Sequence, residues 1–488
     1  MDQKISILYQ VLIFMSAILL RIRNKMHEYM TMKNIFQPSI AVVFAAILAA
    51  LFFGVFSVVF VEMFGEKLSL LMALPVVMII GLLFVFNRYL LFTLILLLRP
   101  ALDPILEKTK IGGLGVGGVL NALVIIIALL AIIQKDFQLR SILIRTWVPF
   151  LLVLLIAVGF APDFTHAVKS YLSLISNAAM FALALTLVKT QTDYGRWMRI
   201  VLLSSLIPVF YGFVDYATGG VVYADAGKRV ASTFSHPNIL AFYLVLIITL
   251  SFYFIKSKVT YIPPSVKRLL PLYIIMMIAL LLFTKTRSAW VVCFVFFTLY
   301  GLLYERKYLL FVIVSPLVAL LIPEMQDRII DLTQGNEVVT YGTLNSYAWR
   351  KYIWESSLSW MQPSHYFLGY GLESFMHYSI DFFPLAGNME TGAHNVYVQL
   401  IFDTGVVGLL SFVWLYGSVA FYLAQFYKAN KLMIFLAIML LCQYGLLAYS
   451  DNMLSYLAFN WYFWFVLGAT YSIAYHDKKR LQNEVSSA

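Results

Sequence analysis

PNILAFYLVLIITLSFYFI, residues 237–255, is almost entirely apolar, with Asn238, Thr249 and Ser251 as its non-aromatic polar side chains. A helix needs about 20 predominantly apolar residues to cross the hydrocarbon core of a bilayer. Comparable runs recur along nearly the whole chain, beginning with 40–61. Of the 488 residues, 62% are hydrophobic, 16% aromatic and only 12% charged, which excludes an ordinary soluble domain. The pattern predicts an all-α polytopic membrane protein with about 12–14 transmembrane helices.

Working outward, spans are expected at 40–61, 68–86, 89–106, 116–133, 147–160, 167–188, 197–218 and 237–255. Further spans follow at 269–283, 287–303, 308–323, 395–422, 431–450 and 453–475. Residues 5–20 are apolar, lack a small-residue cleavage site and precede Arg21-Ile-Arg23-Asn-Lys25, so they read as an interfacial helix or an extra span. Arg99-Pro100 and Asp103-Pro104 interrupt the third span, which is tolerated only where protein or a water-filled cavity satisfies the freed backbone. The expected organisation is an N-terminal interfacial or extra helix (1–34) and a helical membrane domain (35–323). A long extracytoplasmic loop (324–394), C-terminal spans (395–475) and a cytoplasmic tail (476–488) complete it.

The net charge is +11, yet the basic residues stand singly or in pairs between apolar runs. They set topology and do not form a groove for nucleic acid. With His476-Asp-Lys478-Lys479-Arg480 placed in the cytoplasm, most of the 35 Lys and Arg fall on that side, giving an N-in, C-in protein with 324–394 outside. Lys228-Arg229, Lys285-Thr286-Arg287, Arg350 and His394 then lie on the outer face, against the charge rule. A site that binds an anion there would account for them. Cys293 and Cys442 both sit in apolar runs and read as free, buried thiols.

The long polar segment carries Asn345, Arg350, Trp354, Glu355, Gly369, Gly371 and Glu373, and closes on Glu390-Thr-Gly-Ala-His394-Asn395-Val-Tyr397-Val-Gln399. Residues 344–361 read as a helix, with Arg350 and Trp354 one turn apart and Pro363 preventing its continuation. Its aromatic residues suit either a sugar-stacking face or a membrane-surface belt. His236-Pro237-Asn238 reads as a helix start whose free N–H groups favour phosphate, with simple capping as the alternative. Arg287 lies at a membrane boundary, where it either snorkels or forks two phosphate oxygens. His394 is of a residue type that titrates near neutrality and can take a proton from a hydroxyl; the alternative is a structural histidine. Gly113-Leu-Gly115-Val-Gly117-Gly118 has the letters of a dinucleotide fingerprint without its strand–turn–helix setting, and reads as a flexible connection or close helix packing. No metal-ligand signature is present, and no cofactor is expected.

Arg229-Val-Ala-Ser-Thr-Phe-Ser-His-Pro-Asn238 heading a span, then Thr286-Arg-Ser-Ala289, then a loop ending in His394-Asn-Val-Tyr-Val-Gln399 and Gly405-Val-Val-Gly408, resembles the O-antigen ligase and Wzy-type polysaccharide polymerase superfamily. The matching stretches cover 225–300 and 345–410. The resemblance implies a metal-independent membrane glycosyltransferase of the GT-C type that uses undecaprenyl-diphosphate-linked glycans. Carried over, Arg229, Arg287 and Arg350 hold the diphosphate, and His394 activates the acceptor hydroxyl. Asn238, Asn395, Tyr397, Trp354 and Glu390 are candidate substrate contacts. The Ala-Trp after Arg287-Ser288 and the Asp403-Thr404 pair depart from many ligases.

The expected activity is polymerisation of lipid-linked oligosaccharide repeats into a cell-surface polysaccharide on the outer face of a bacterial cytoplasmic membrane, as in a teichuronic acid polymerase. One alternative is a ligase passing finished glycan to a lipid A core or a protein. A polysaccharide flippase or transporter is the alternative of another class. Expected partners are the lipid-linked donor and acceptor, membrane lipids and other polysaccharide-assembly proteins, with no nucleic acid.

Overall fold

A computed structural model of the chain describes residues 79–103, 106, 110–111, 114–133, 137–223, 227–257, 262–321, 326, 330, 344–387 and 389–487. The chain divides into two compact units, Met1–Leu82 and Leu83–Ala488; only 79–82 of the first are described. The expected helix at 5–20, the spans at 40–61 and most of 68–86, and most of 324–343 lie outside the described residues.

The second unit begins with α1 (Arg88–Leu98), a minimal hairpin of β1 (Lys110–Ile111) and β2 (Leu114–Gly115), and α2 (Val116–Ile133). Then come α3 (Phe137–Gly159), α4 (Phe164–Leu187), α5 (Gln191–Leu203) and α6 (Leu206–Ala217). A second hairpin, β3 (Val221–Tyr223) with β4 (Gly227–Arg229), leads into α7 (Pro237–Lys256), α8 (Pro264–Phe283), α9 (Arg287–Leu303) and α10 (Tyr308–Ala319). The polar segment holds α11 (Ser346–Trp360) and α12 (Ser374–Phe382). Last are α13 (Val396–Ala424), α14 (Lys431–Ala448) and α15 (Leu457–Ser487). This is an all-α polytopic membrane protein. Seven helices among the described residues are long and apolar enough to cross a membrane, and three shorter ones are apolar.

Two helices form the axis. α7 is buried at every position from Pro237 to Phe254, as expected of a helix that is apolar all round. α15 buries Trp461, Tyr462 and Trp464 completely and packs chiefly on α4. Polar pairs tie each to its neighbours: Trp461 Nε1 of α15 donates to Ser176 Oγ of α4 at 2.8 Å, and Tyr243 of α7 pairs with Ser204 after α5 at 2.7 Å. Such bonds hold helices together where lipid removes the hydrophobic drive.

Several boundaries differ from the sequence expectation for local reasons. The span at 197–218 is two helices, because Ser204 and Ser205 turn their hydroxyls back onto Val201 O and Leu202 O. The span at 147–160 starts ten residues earlier, at Phe137. Residues 476–487, expected as a tail, continue α15, with Arg480 and Glu484 paired one turn apart. Cys293 is buried, but Cys442 is exposed.

The helix α13 breaks at Gly405, whose φ of 64° and ψ of −167° leave the helical region. Residues 366–371 enter this break. Tyr370 N donates to Phe402 O, Gly371 N to Asp403 O and Val406 N to Tyr366 O, at 3.0, 2.8 and 2.9 Å. The buried Asp403 carboxylate then accepts from Phe375 N, Ser374 Oγ and Glu373 N at 2.7, 3.0 and 3.1 Å, fixing the start of α12. A polar segment is thereby fastened to a transmembrane helix, and the freed backbone groups find partners.

Candidate active site

The residues before α7 are set by their neighbours. Asp215 accepts from the backbone N–H of Ala231 and Ser232 at 3.0 and 2.9 Å. Ser232 Oγ bonds Pro208 O, and Thr233 Oγ1 bonds Pro100 O at 2.7 Å, using the carbonyl freed where α1 breaks. His236 caps α7, its Nδ1 accepting from Asn238 N at 3.1 Å, with Pro237 in the first turn. The segment is held rigidly over the helix it starts.

Arg229 ends β4 and turns inward, leaving 7% of its surface exposed. Its Nε donates to Thr284 O at 2.8 Å, and its Nη2 to Asn238 Oδ1 and Thr286 Oγ1 at 2.7 and 3.1 Å. Asn238 Nδ2 in turn donates to Asp451 Oδ2. Asp451 Oδ1 lies 3.5 Å from His394 Nδ1 and accepts from Tyr456 Oη at 2.6 Å. A continuous chain of polar contacts therefore runs Arg229–Asn238–Asp451–His394.

The loop side is built as firmly. Asn345 caps α11 through Tyr347 N and Ala348 N, and Trp354 Nε1 donates to Ala393 O at 2.7 Å. That bond fixes the residue before His394. Asn395 caps α13, so the imidazole stands at the mouth of that helix, 6.1 Å from the Trp349 ring and 37% exposed. Ser232, Lys285 and His394 all have φ between 47° and 55°, a conformation costly for residues with side chains. Each persists only because its surroundings over-determine it.

The electrostatics favour an ionised carboxylate among cations. Burial alone would raise the Asp451 carboxyl, but the His394 contact and charge, Arg350 and the Tyr456 hydroxyl hold it well below the usual range. Burial pushes His236 down to about 4; Asp451 opposes this, while Arg229, His394 and Arg350 add to it. Arg350 is half-buried in α11 and acts electrostatically on Asp451, His236 and Tyr456. Arg287 opens α9, and its Nη2 donates to Ser346 Oγ at 2.5 Å, tying α9 to the start of α11.

The structure thus brings Arg229, Asn238 and His394 into one network, with Arg350 in its field and Arg287 on the adjoining helix start. The other candidates are placed as supports. Trp354 is 8% and Asn395 2% exposed, both committed to the bonds above, and Tyr397 Oη donates to Gly445 O at 2.7 Å. Glu390 is exposed, and among the described residues no hydrogen bond or ion pair joins it to the cluster. Asp451 was not among the sequence candidates. Its one signal is a lone carboxylate in Tyr449-Ser-Asp-Asn452, between two apolar runs on the face that carries the arginines.

Residues 272–413 match the family model described as O-antigen ligase. This segment, under a third of the chain, is similar to the O-antigen ligase family. The class is one of membrane glycosyltransferases and ligases, with lipid-linked glycans as substrates in broad terms. The matched segment contains Arg287, Arg350 and His394, whereas Arg229, Asn238 and Asp451 come from outside it. No match to the chain was found among curated proteins.

Proposed function

We propose that this protein is a polymerase joining undecaprenyl-diphosphate-linked oligosaccharide repeats at the outer face of a bacterial cytoplasmic membrane. The observation that carries the reading is the contact between His394 and buried Asp451 at the end of the Arg229–Asn238 chain. If Nδ1–H points at the carboxylate, Nε2 is left as the proton acceptor. It takes the proton of an acceptor hydroxyl, whose oxygen attacks the anomeric carbon of the donor from the face opposite the diphosphate. The new glycosidic bond forms as the bond from carbon to the phosphate oxygen breaks, and the leaving diphosphate carries off the electron pair. The configuration at that carbon inverts.

Arg287 and Arg350 are the groups we assign to direct contact with the diphosphate, through forked N–H donors. Arg229 contributes positive charge from behind while holding Asn238 in place. Charge building on the departing group is met by donors already in position, which is where most of such a rate enhancement arises. A diphosphate is itself a good leaving group, so the chemistry asks for no metal. The teichuronic acid type of wall polymer remains our preferred product.

A ligase version, with lipid A core or a protein as acceptor, is favoured by the description of the matching family model. Glycan chain length in a deletion strain, compared with translocation of the lipid-linked unit, tests the reading. Short glycan with normal translocation is the expected result. Polymer of normal length left unattached points to the ligase, and unit trapped inside points to a flippase.

A further inference from the structure

At the end of the bundle away from His394 lies an open cleft of about 560 Å³, mouth included. It is framed by the last turns of α2 and α4, the first turns of α3, and α15 near Tyr475. Tyr475 is about 27 Å along the axis of α15 from its start beside the active site, at 1.5 Å per residue, so the cleft lies at the far end of the bundle, where a bilayer spanned by its neighbours would have its opposite surface. Its lining divides by chemistry. Ile132, Leu139, Leu143 and Leu185 are apolar, whereas Arg140, Lys189 and His476 are cations or donors.

The basic groups are held toward this surface. Arg140 is half-buried, and its Nη2 donates to Ile132 O at 2.8 Å, which fixes the guanidinium over the end of α2. Lys189 is exposed just past α4. Two neighbouring carboxylates bond to neutral groups and keep their charge: Asp193 closes the capping box with Thr190, and Asp477 accepts from Gln191 at 2.6 Å. Basic clefts between helices at a membrane surface suit phosphate headgroups, each Lys or Arg contributing to the attraction. The apolar lining suits the chain attached to such a headgroup.

We propose that this cleft binds an anionic membrane phospholipid, its phosphate against Arg140, Lys189 and His476 and an acyl chain along Ile132, Leu139 and Leu143. The site is separate from the transfer chemistry and does not depend on it.

The test uses the purified full-length protein, delipidated and then offered phosphatidylglycerol, phosphatidylcholine or inorganic phosphate, with retained lipid counted by native mass spectrometry and melting followed in parallel. Wild type should retain phosphatidylglycerol with roughly tenfold preference over phosphatidylcholine, and R140Q/K189Q should lose that preference. Leu143→Trp, which fills the apolar part and leaves the charges, should also reduce retention. That variant decides the matter if the double variant fails to fold. Equal retention of phosphatidylcholine, equal stabilisation by inorganic phosphate, or unchanged retention in the variants would overturn the proposal.

Discussion

Asp451 Oδ1 lies 3.5 Å from His394 Nδ1, the carboxylate 1% exposed and the imidazole 37%. A buried acid behind a partly open histidine orients the ring and stabilises the imidazolium that forms when the ring takes a proton. Asp451→Asn keeps the size but removes the charge and turns one acceptor oxygen into a donor amide. Glycan transfer should fall roughly 10²–10⁴-fold, with the protein still inserted in the membrane. Transfer by purified protein on lipid-linked donor measures it, and near-normal rates would remove Asp451 from the mechanism. The double variant with His394→Ala should be little worse than His394→Ala alone, because the two act as a unit.

Arg287→Ala should abolish polymer while leaving expression and insertion unchanged, and Arg287→Lys should recover little, since an ammonium cannot replace the fork. Chain-length analysis of surface glycan reads both. Normal length in either variant would argue against direct diphosphate contact by Arg287.

Asn238 joins two buried charged groups, so Asn238→Leu should cost about 1–3 kcal/mol and lower the melting temperature in detergent. The loss should be accompanied by reduced transfer, as Asp451 is released on one side. A melting temperature equal to wild type would mean that the bridge contributes nothing to the fold.

Gly405 and Gly417 share one helix and predict opposite outcomes. A Cβ on Gly405 would come within 2.2 Å of Phe367 O, at a φ of 64°; one on Gly417 meets nothing within 4 Å. Gly405→Ala should destabilise the protein by several kcal/mol, whereas Gly417→Ala should be neutral or gain up to ~1 kcal/mol. Thermal unfolding of the two side by side checks it, and equal behaviour would refute the break at Gly405.

His236 is pushed down to about 4 from an ordinary value of 6.5, chiefly by burial. Above pH 6.5 both folded and unfolded forms are neutral there, and nothing is lost. Between 6.5 and about 4 only the unfolded chain takes the proton, so stability falls as pH falls through that window. The loss attributable to this residue is on the order of 3 kcal/mol at most. His236→Asn keeps a capping side chain, and its unfolding free energy should vary less with pH across that range. An unchanged slope would show that the imidazole is not buried as described.

Among the described residues, seven of the expected spans correspond to helices long and apolar enough to cross a membrane, and 237–255 is buried on every side as its composition implies; 89–106 and 453–475 are not among the seven. Arg229, Asn238 and His394 were legible as polar exceptions at the ends of apolar runs. Asp451 was not, since its partner Asn238 lies 213 residues away and no local pattern marks the pairing. The helix break at Gly405 escaped for a related reason. Gly405-Val-Val-Gly408 entered only as part of a family resemblance; the break there depends on residues 366–371 filling the gap, which only tertiary contact supplies. Trp354 had two readings from sequence, a sugar-stacking face or a membrane-surface belt, and neither includes its bond to Ala393 O, which supports the His394 turn.

The seam between residues 366–371 and α13 lies about 14 Å from the start of that helix, at 1.5 Å per residue. A segment moored that far along cannot lift away like a hinged cover without rebending the rod it is tied to. Any load on α12 is therefore carried straight into α13, which serves it as a fixed anvil.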